Sequence, residues 1–531
     1  LVQEVIDAVR AGQNDRAREL AIAALDDGLR HPVLFNIRAA WHGRRERYEE
    51  ALADFEAARI WLPRDPMLLD GIGHCLIMLA RPREAVAALD IAIGIAPELA
   101  ALHYRKGVAL WQLNEMQEMR LEFERVVALQ PDHADALASL AFIAARSGNV
   151  ADARAFAAQA MSCAPRHNIA RIALAIADME DGDFLAAGEK LDAVLADCPA
   201  TDDGRLNNAL GFAADALDRN NRVSGAFRLH GVVNDRRRGF HAKRYADCRA
   251  IDDVARLTEY FRKSGSWNAS EPAAADGGAA GHVFLLGFVR SGTTLLEAVL
   301  ASNPLVVASD EHDHLANAAH EYLDRDEDVD TLRKSEADRL ASWREAYWNS
   351  VRGTGMAIDG KIFVDKVPFN SLRLPLILRL FPDARILLAL RDPRDVVLSA
   401  YRRRFNMYPS SFEFLRLDDC ARYYAAIMLF VETCRDRLPL AVHEHRYEDM
   451  IVDFGASVRA ICGFIGIEWD EAMRDFGAAA SALDKRNQSA SQVRRGLYSG
   501  GIGQWRRYRE HLSAVLPILQ PWVERFGYDP D

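Results

Sequence analysis

Residues 283–300 read VFLLGFVRSGTTLLEAVL. An apolar strand runs into a turn of glycine and hydroxyl residues, and an amphipathic helix begins near Thr293. That order builds a phosphate cradle. Gly287 and Gly292 let the backbone bend and approach a ligand closely, the N–H groups of the turn converge, and the helix N-terminus adds the positive end of its dipole. The nucleotide-hydrolase version of such a loop, G-x-x-x-x-G-K-[ST], carries a lysine before the hydroxyl residue. Here Arg290, Ser291, Gly292, Thr293 and Thr294 stand in sequence with no lysine among them. The guanidinium of Arg290 offers a planar fork to an oxyanion, and the hydroxyls add donors.

A second anion signature lies about a hundred residues on. Residues 386–401 read ILLALRDPRDVVLSAY: a run of apolar residues, Arg391, a proline-bearing turn and a helix carrying Ser399. Arg391 falls where a strand ends and a helix begins, the place where open α/β sheets bind ligands. Together the two runs resemble the 5′-phosphosulfate and 3′-phosphate signatures of the sulfotransferases. Val289 replaces the proline usual in the first signature. The resemblance is closest to tyrosylprotein sulfotransferases and their bacterial relatives fused to helical repeats, and covers roughly residues 281–510.

The resemblance implies roles for particular residues. Glu311, in ASDEHDHL, lies twenty-one residues beyond Arg290, where the family carries its general base. Lys366, in FVDKVPFN, matches the lysine that stabilises the sulfuryl group. Arg403, twelve past Arg391, matches a further donor-contacting arginine, and Tyr447, in HRYEDM, a nucleotide-contacting tyrosine. The run SASQVRRGLYSGGIGQW (489–505) matches a donor-covering segment, with Ser489 and Trp505 in place. Gln504 stands where the eukaryotic enzymes have lysine, with Arg506 and Arg507 as candidate substitutes. The implied co-substrate is 3′-phosphoadenylyl sulfate (PAPS), with no metal. Arg290 to Thr294 would hold its 5′-phosphate; Arg391, Ser399 and Arg403 its 3′-phosphate. Glu311 would accept the acceptor's proton, its basicity raised by desolvation and by Asp310 and Asp313, while Lys366 neutralises the transferring group.

The first 215 residues have a different grammar. Pro63, Pro97, Pro131, Pro165 and Pro199 recur every 34 residues. Twelve residues before them stand Ala51, Ala85, Met119, Ala153 and Ala187, and twenty-four before stand Ala39, Gly73, Gly107, Ala141 and Ala175. Small residues at fixed points let two helices approach closely, and proline ends the second. This is the period of tetratricopeptide repeats, about six of them, stacked into an α-solenoid with a concave groove for a protein or peptide. Residues 216–280 read as a helical connector with a basic cluster at Arg236 to Arg238, then a Gly/Ala-rich linker. Residues 281–531 read as an α/β domain around a parallel sheet, with strands at 283–287, 386–390 and 439–443.

Composition sets the outer bounds. A chain of 531 residues exceeds one ordinary core. The net charge of −11 disfavours a nucleic-acid partner. No apolar run reaches membrane-spanning length and no signal peptide is legible, so the expected location is cytoplasmic. Seven widely spaced cysteines suit reduced core thiols. Glu311-His312-Asp313-His314 also has metal-like spacing, but no fourth partner is visible. A transferase, a nucleotide-hydrolysing or kinase domain, and a repeat scaffold with a decayed domain remain the competing readings. The acceptor hydroxyl, whether tyrosine, glycan, lipid or metabolite, is left open.

Overall fold

The 34-residue spacing of small residues becomes a row of helix pairs. The computed structural model describes residues 1–197, 204–245, 249–265, 267, 277–477, 497 and 499–531. It divides into two units, Leu1–Asn221 and Arg222–Asp531. In the first, Pro32–Arg44 pairs with Tyr48–Arg59, Pro66–Met78 with Pro82–Ile95, Ala100–Leu113 with Met116–Leu129, and Ala134–Arg146 with Val150–Cys163. Asn168–Glu180 and Phe184–Asp197 continue the series. Every small position named above is buried, and the space there is tight. A Cβ on Gly73 would lie 2.8 Å from Leu89 Cγ, and one on Gly107 would lie 2.7 Å from Phe123 Cε1. Side chains any larger would push the helices of a pair apart, which is why the pattern is so regular.

The second unit is built on five parallel strands: β1 (Gly281–Gly287), β2 (Val306–Asp310), β3 (Ile362–Lys366), β4 (Arg385–Leu390) and β5 (Ala441–Arg446). They lie in the order β2-β3-β1-β4-β5. The pleat sends alternate side chains to opposite faces. Phe284, Leu286, Phe363, Ile386 and Leu388 join one buried cluster, while Val283, Leu285, Val364, Leu387 and Ala389 join another. Helices cover both faces, so the central strands are near-continuous apolar runs. At the edge, β5 reads AVHEHR and, among the described residues, pairs with β4 alone. It spans 441–446 rather than the expected 439–443, and its polar second half is what an edge strand tolerates where an apolar run would have ended.

The stretch 216–263 is not a connector. Residues up to Arg219 finish a helix of the first unit, and Val223–Tyr245 and Ala250–Lys263 belong to the second. The apolar side of the latter helix (Ala250, Val254, Leu257, Phe261) is buried in the larger core cluster. The basic cluster is likewise spent on packing. Arg238 pairs with Asp419 at 3.3 Å and lies over Phe412, and Arg237 donates to the Phe405 carbonyl. Of the expected linker, residues 266 and 268–276 lie outside the described residues, but Trp267 is buried in the same core. Cys75, Cys420, Cys434 and Cys462 are buried thiols as expected of core cysteines, whereas Cys163 is exposed.

One buried polar chain on the sheet makes a prediction about pH. His282 on β1 meets the Tyr347 hydroxyl at 2.8 Å, which donates to Asp365 on β3 at 2.7 Å. Burial pushes Asp365 up to about 7 and His282 down to about 3. Asp365 stays protonated in the folded state below 7, so its contribution to stability grows as pH falls from about 7 to 4. His282 refuses a proton that the unfolded chain accepts, so its contribution shrinks as pH falls from about 6.5 to 3. The two offset each other in the parent. In Asp365→Asn only the histidine's part survives. Relative to the parent, that variant should lose roughly 1 kcal/mol per pH unit between 6.5 and 4.5. Denaturant unfolding of this unit with parallel pH slopes in the two proteins would refute the assignment.

Candidate functional site

Every strand of the sheet ends in one of the residues singled out by sequence. Arg290 follows β1, Glu311 follows β2, Lys366 closes β3, Arg391 follows β4 and Tyr447 follows β5. Parallel strands place all five carboxyl ends on one edge, where open α/β sheets carry their ligand sites. The connection from β1 leaves toward β2, and the connection from β3 crosses β1 to reach β4. The phosphate-type loop thus sits at the switch of direction.

The loop is shaped as its glycines require. Gly292 has φ 94°, and a Cβ there would lie 2.7 Å from the Tyr447 ring. At Gly287 a Cβ would lie 2.6 Å from the carbonyl oxygen of Ala389 on the adjacent strand. The helix Thr293–Ala301 starts at once, with Ser291, Thr293 and Thr294 buried at its head. Among the described residues of the second unit, two take the left-handed conformation without being glycine: Arg290 at φ 72° and Glu311 at φ 55°. Such conformations cost of order 1–3 kcal/mol and collect at functional sites. Their coincidence with two candidate site residues is an observation independent of sequence spacing.

The two anion signatures are joined by direct hydrogen bonds. Arg290 Nε donates to Ser399 Oγ at 3.0 Å, and Arg391 Nη1 donates to the Arg290 carbonyl at 3.2 Å. Arg391 also donates to the Gly501 carbonyl and stacks 5.3 Å from the Tyr447 ring centroid. Its Nε is buried without a hydrogen-bond partner among the described residues. Arg290 is partly buried, and its affinity for a proton is driven well down by desolvation and by the charges of Arg403 and Arg391. Three guanidiniums drawn together at the head of a helix make a pocket of positive potential.

On the other side of β1, Lys366 is fully buried. Its Nζ lies 2.7 Å from Glu311 Oε1 and 3.2 Å from Glu297 Oε2. The Glu311 side chain is half exposed, so the desolvation expected for it is not found. Asp313 does not crowd it either, because Arg373 holds Asp313 in a two-pronged pair. Glu311 N–H donates to the Lys366 carbonyl at 3.1 Å, which fixes the unusual backbone turn. His314 has both ring nitrogens occupied, by Ser309 at 3.1 Å and Ser350 at 2.9 Å. The His314 ring is thereby held between two serines.

The segment after 499 closes over Arg391. Asp395, in the first turn of the helix Pro393–Arg402, accepts N–H bonds from Gly503 at 2.6 Å and Trp505 at 2.8 Å. Trp505 is buried under Arg394, 3.8 Å away, and serves as packing. Gln504 spends its amide on Gly500 and Arg402. Arg506 is turned to the carboxyl-terminal residues Asp529 and Asp531. Ser489 and Tyr498 lie outside the described residues. Sequence reading missed Glu297 and Asp395. Each is a charged residue inside an apolar helix pattern, and that was the signal available.

The fold and this site define a sulfotransferase-type α/β domain following a row of tetratricopeptide-like helix pairs. Residues 282–471 match the Sulfotransferase family. An uncharacterized protein of Aquifex aeolicus is 26% identical over 261 residues, 47% of this chain and 33% of its own length. The Caenorhabditis elegans protein-tyrosine sulfotransferase A is 24% identical over 263 residues, 47% of this chain and 67% of that protein. Protein-tyrosine sulfotransferase 1 of Danio rerio is 24% identical over 260 residues, covering 47% and 72%. The chain thus spans about a third of the Aquifex relative and about two thirds of the animal ones. Among solved structures, YrrB, described as a TPR protein with an unusual peptide-binding site, aligns over 36% of this chain and 97% of its own. Its identity is 20% and its TM-score 0.30. MamA aligns over 31% and 90%, at 18% identity and TM-score 0.29. Among the described residues no helix is long and apolar enough to cross a membrane.

Proposed function

We propose that the second unit moves a sulfuryl group from PAPS to an acceptor hydroxyl, a protein tyrosine being the acceptor its named relatives suggest. The observation that carries this reading is the gathering of Arg391 and Arg403 about Arg290, which itself donates to Ser399, with a buried Arg391 Nε left to donate. A donor with phosphates at both ends of a ribose satisfies both signatures at once. The acceptor O–H gives its proton to Glu311, the acceptor oxygen bonds to sulfur, and the bond from sulfur to the 5′-phosphate oxygen breaks with its electron pair on that phosphate. Lys366 and the loop N–H groups stabilise the charge that develops. The exposed half of Glu311 is where an acceptor reaches it. In this reading Ser489 covers the donor, Tyr447 braces both anion loops, no metal takes part, and the repeats recruit the protein that bears the acceptor. A cytoplasmic setting suits the buried thiols.

Calorimetry tests the donor. Adenosine 3′,5′-bisphosphate should bind at micromolar affinity or better and raise the melting temperature, while ATP does neither. Arg391→Ala should weaken the bisphosphate by about 1.5–3 kcal/mol, the worth of a charge-assisted contact. It should also erase the preference for PAPS over adenosine 5′-phosphosulfate. Equal affinity for those two ligands in the parent protein would defeat the reading.

A further inference from the structure

Glu297 sits in the helix that starts at the phosphate-type loop, one turn past Thr293 and on the same side of it. Its side chain is 1% exposed, and it points at a lysine that is 0% exposed. A carboxylate in such a place is costly unless a cation compensates it, and here that cation is Lys366. Lys366 therefore has two anionic partners of different kinds. Glu311 is half exposed and open to an acceptor, while Glu297 is sealed between the helix and β3.

We infer that Glu297 is a positioning residue that holds Lys366 in its place for transfer, through the buried 3.2 Å contact between Nζ and Oε2. The inference rests on the sulfuryl-transfer reading. When Glu311 accepts the acceptor's proton it loses its charge, and its hold on Lys366 weakens at the moment negative charge grows on the sulfuryl and bridging oxygens. Glu297 is sealed away from the acceptor, so its contact with the ammonium outlasts that step. Because it rides on the loop's own helix, it also ties the lysine to the place where the 5′-phosphate is cradled. Replacing a glutamate that merely joined helix to sheet would disturb the loop and weaken donor binding, whereas replacing one that positions Lys366 changes transfer and leaves donor binding alone.

The experiment is the pH profile of kcat with labelled PAPS and a tyrosine peptide or p-nitrophenol, in the full chain, for the parent, Glu297→Gln, Glu297→Asp and Lys366→Ala. Loss of a neighbouring anion makes the lysine a weaker base, so in Glu297→Gln the alkaline limb should move roughly 1–3 units toward acid. kcat should fall roughly ten- to a hundredfold, as for groups that orient metal ligands, with the affinity for adenosine 3′,5′-bisphosphate unchanged. Glu297→Asp, which keeps the charge on a shorter stem, should lower kcat with the limb where the parent has it. It carries the test alone should the glutamine variant not fold. Parent-like kcat in either variant overturns the inference, as does weakened bisphosphate binding in Glu297→Gln with an unmoved limb, the mark of a structural pair. Absence of transfer by the parent protein, with Lys366→Ala indistinguishable from it, overturns the sulfuryl-transfer reading itself and the inference with it.

Discussion

Glu311→Ala should lower kcat by roughly 10²–10⁴, the usual worth of a general base, while leaving affinity for adenosine 3′,5′-bisphosphate as it was. Initial rates with labelled PAPS and isothermal calorimetry on the same preparation give the two numbers. The separation is expected because Glu311 stands on the far side of β1 from Ser399 and Arg391, which bind the anion in the proposed reading. A second substitution sharpens the test. Glu311 occupies φ 55°, a conformation glycine adopts freely. Glu311→Gly should therefore be as inactive as the alanine variant yet melt higher, since alanine keeps the backbone strain and glycine releases it. An alanine variant with full activity at neutral pH would remove Glu311 from the chemistry.

Lys366→Met should cost about 3–5 kcal/mol of the second unit's stability, because it strands the buried Glu297 carboxylate without its cation. Combining it with Glu297→Gln should restore most of that loss, since an uncharged pair of similar size no longer demands compensation. The double-mutant cycle reads the coupling directly. Denaturant unfolding followed by a probe in this unit is the measurement, because a two-unit chain does not unfold as one transition. A methionine variant as stable as the parent would mean that Glu297 finds another partner and that the buried ion pair is not what holds the carboxylate.

The local elements that carry the candidate residues were legible in the sequence. The loop from Arg290 to Thr294 and the run from Arg391 to Ser399 carry their chemistry in consecutive residues, because a strand, a turn and a helix N-terminus are local structures. The 34-residue recurrence of alanine, glycine and proline was equally readable, since each repeat packs on its immediate neighbours and repeats one local solution. β2 and β3 were not found as strands. VVASD and IFVDK are too short and too polar at their ends to announce themselves, and it is the sheet around them that makes them strands. The helices of 223–263 read as a connector because their charged residues look solvated. In fact Arg237, Arg238 and Arg249 are spent on the Phe405 carbonyl, Asp419 and Glu413.

What local sequence determines here is therefore the kind of element and which charged residues stand at its ends. What only the tertiary structure decided is which of them meet. Glu311, Lys366 and Glu297 are separated along the chain by two strands and several helices, and parallel pairing of β2, β3 and β1 in one register brings them together. The same pairing left Glu311 half exposed and put the buried carboxylate at Glu297 instead. Burial and partner depend on contacts between distant segments, and no window of neighbouring residues encodes them.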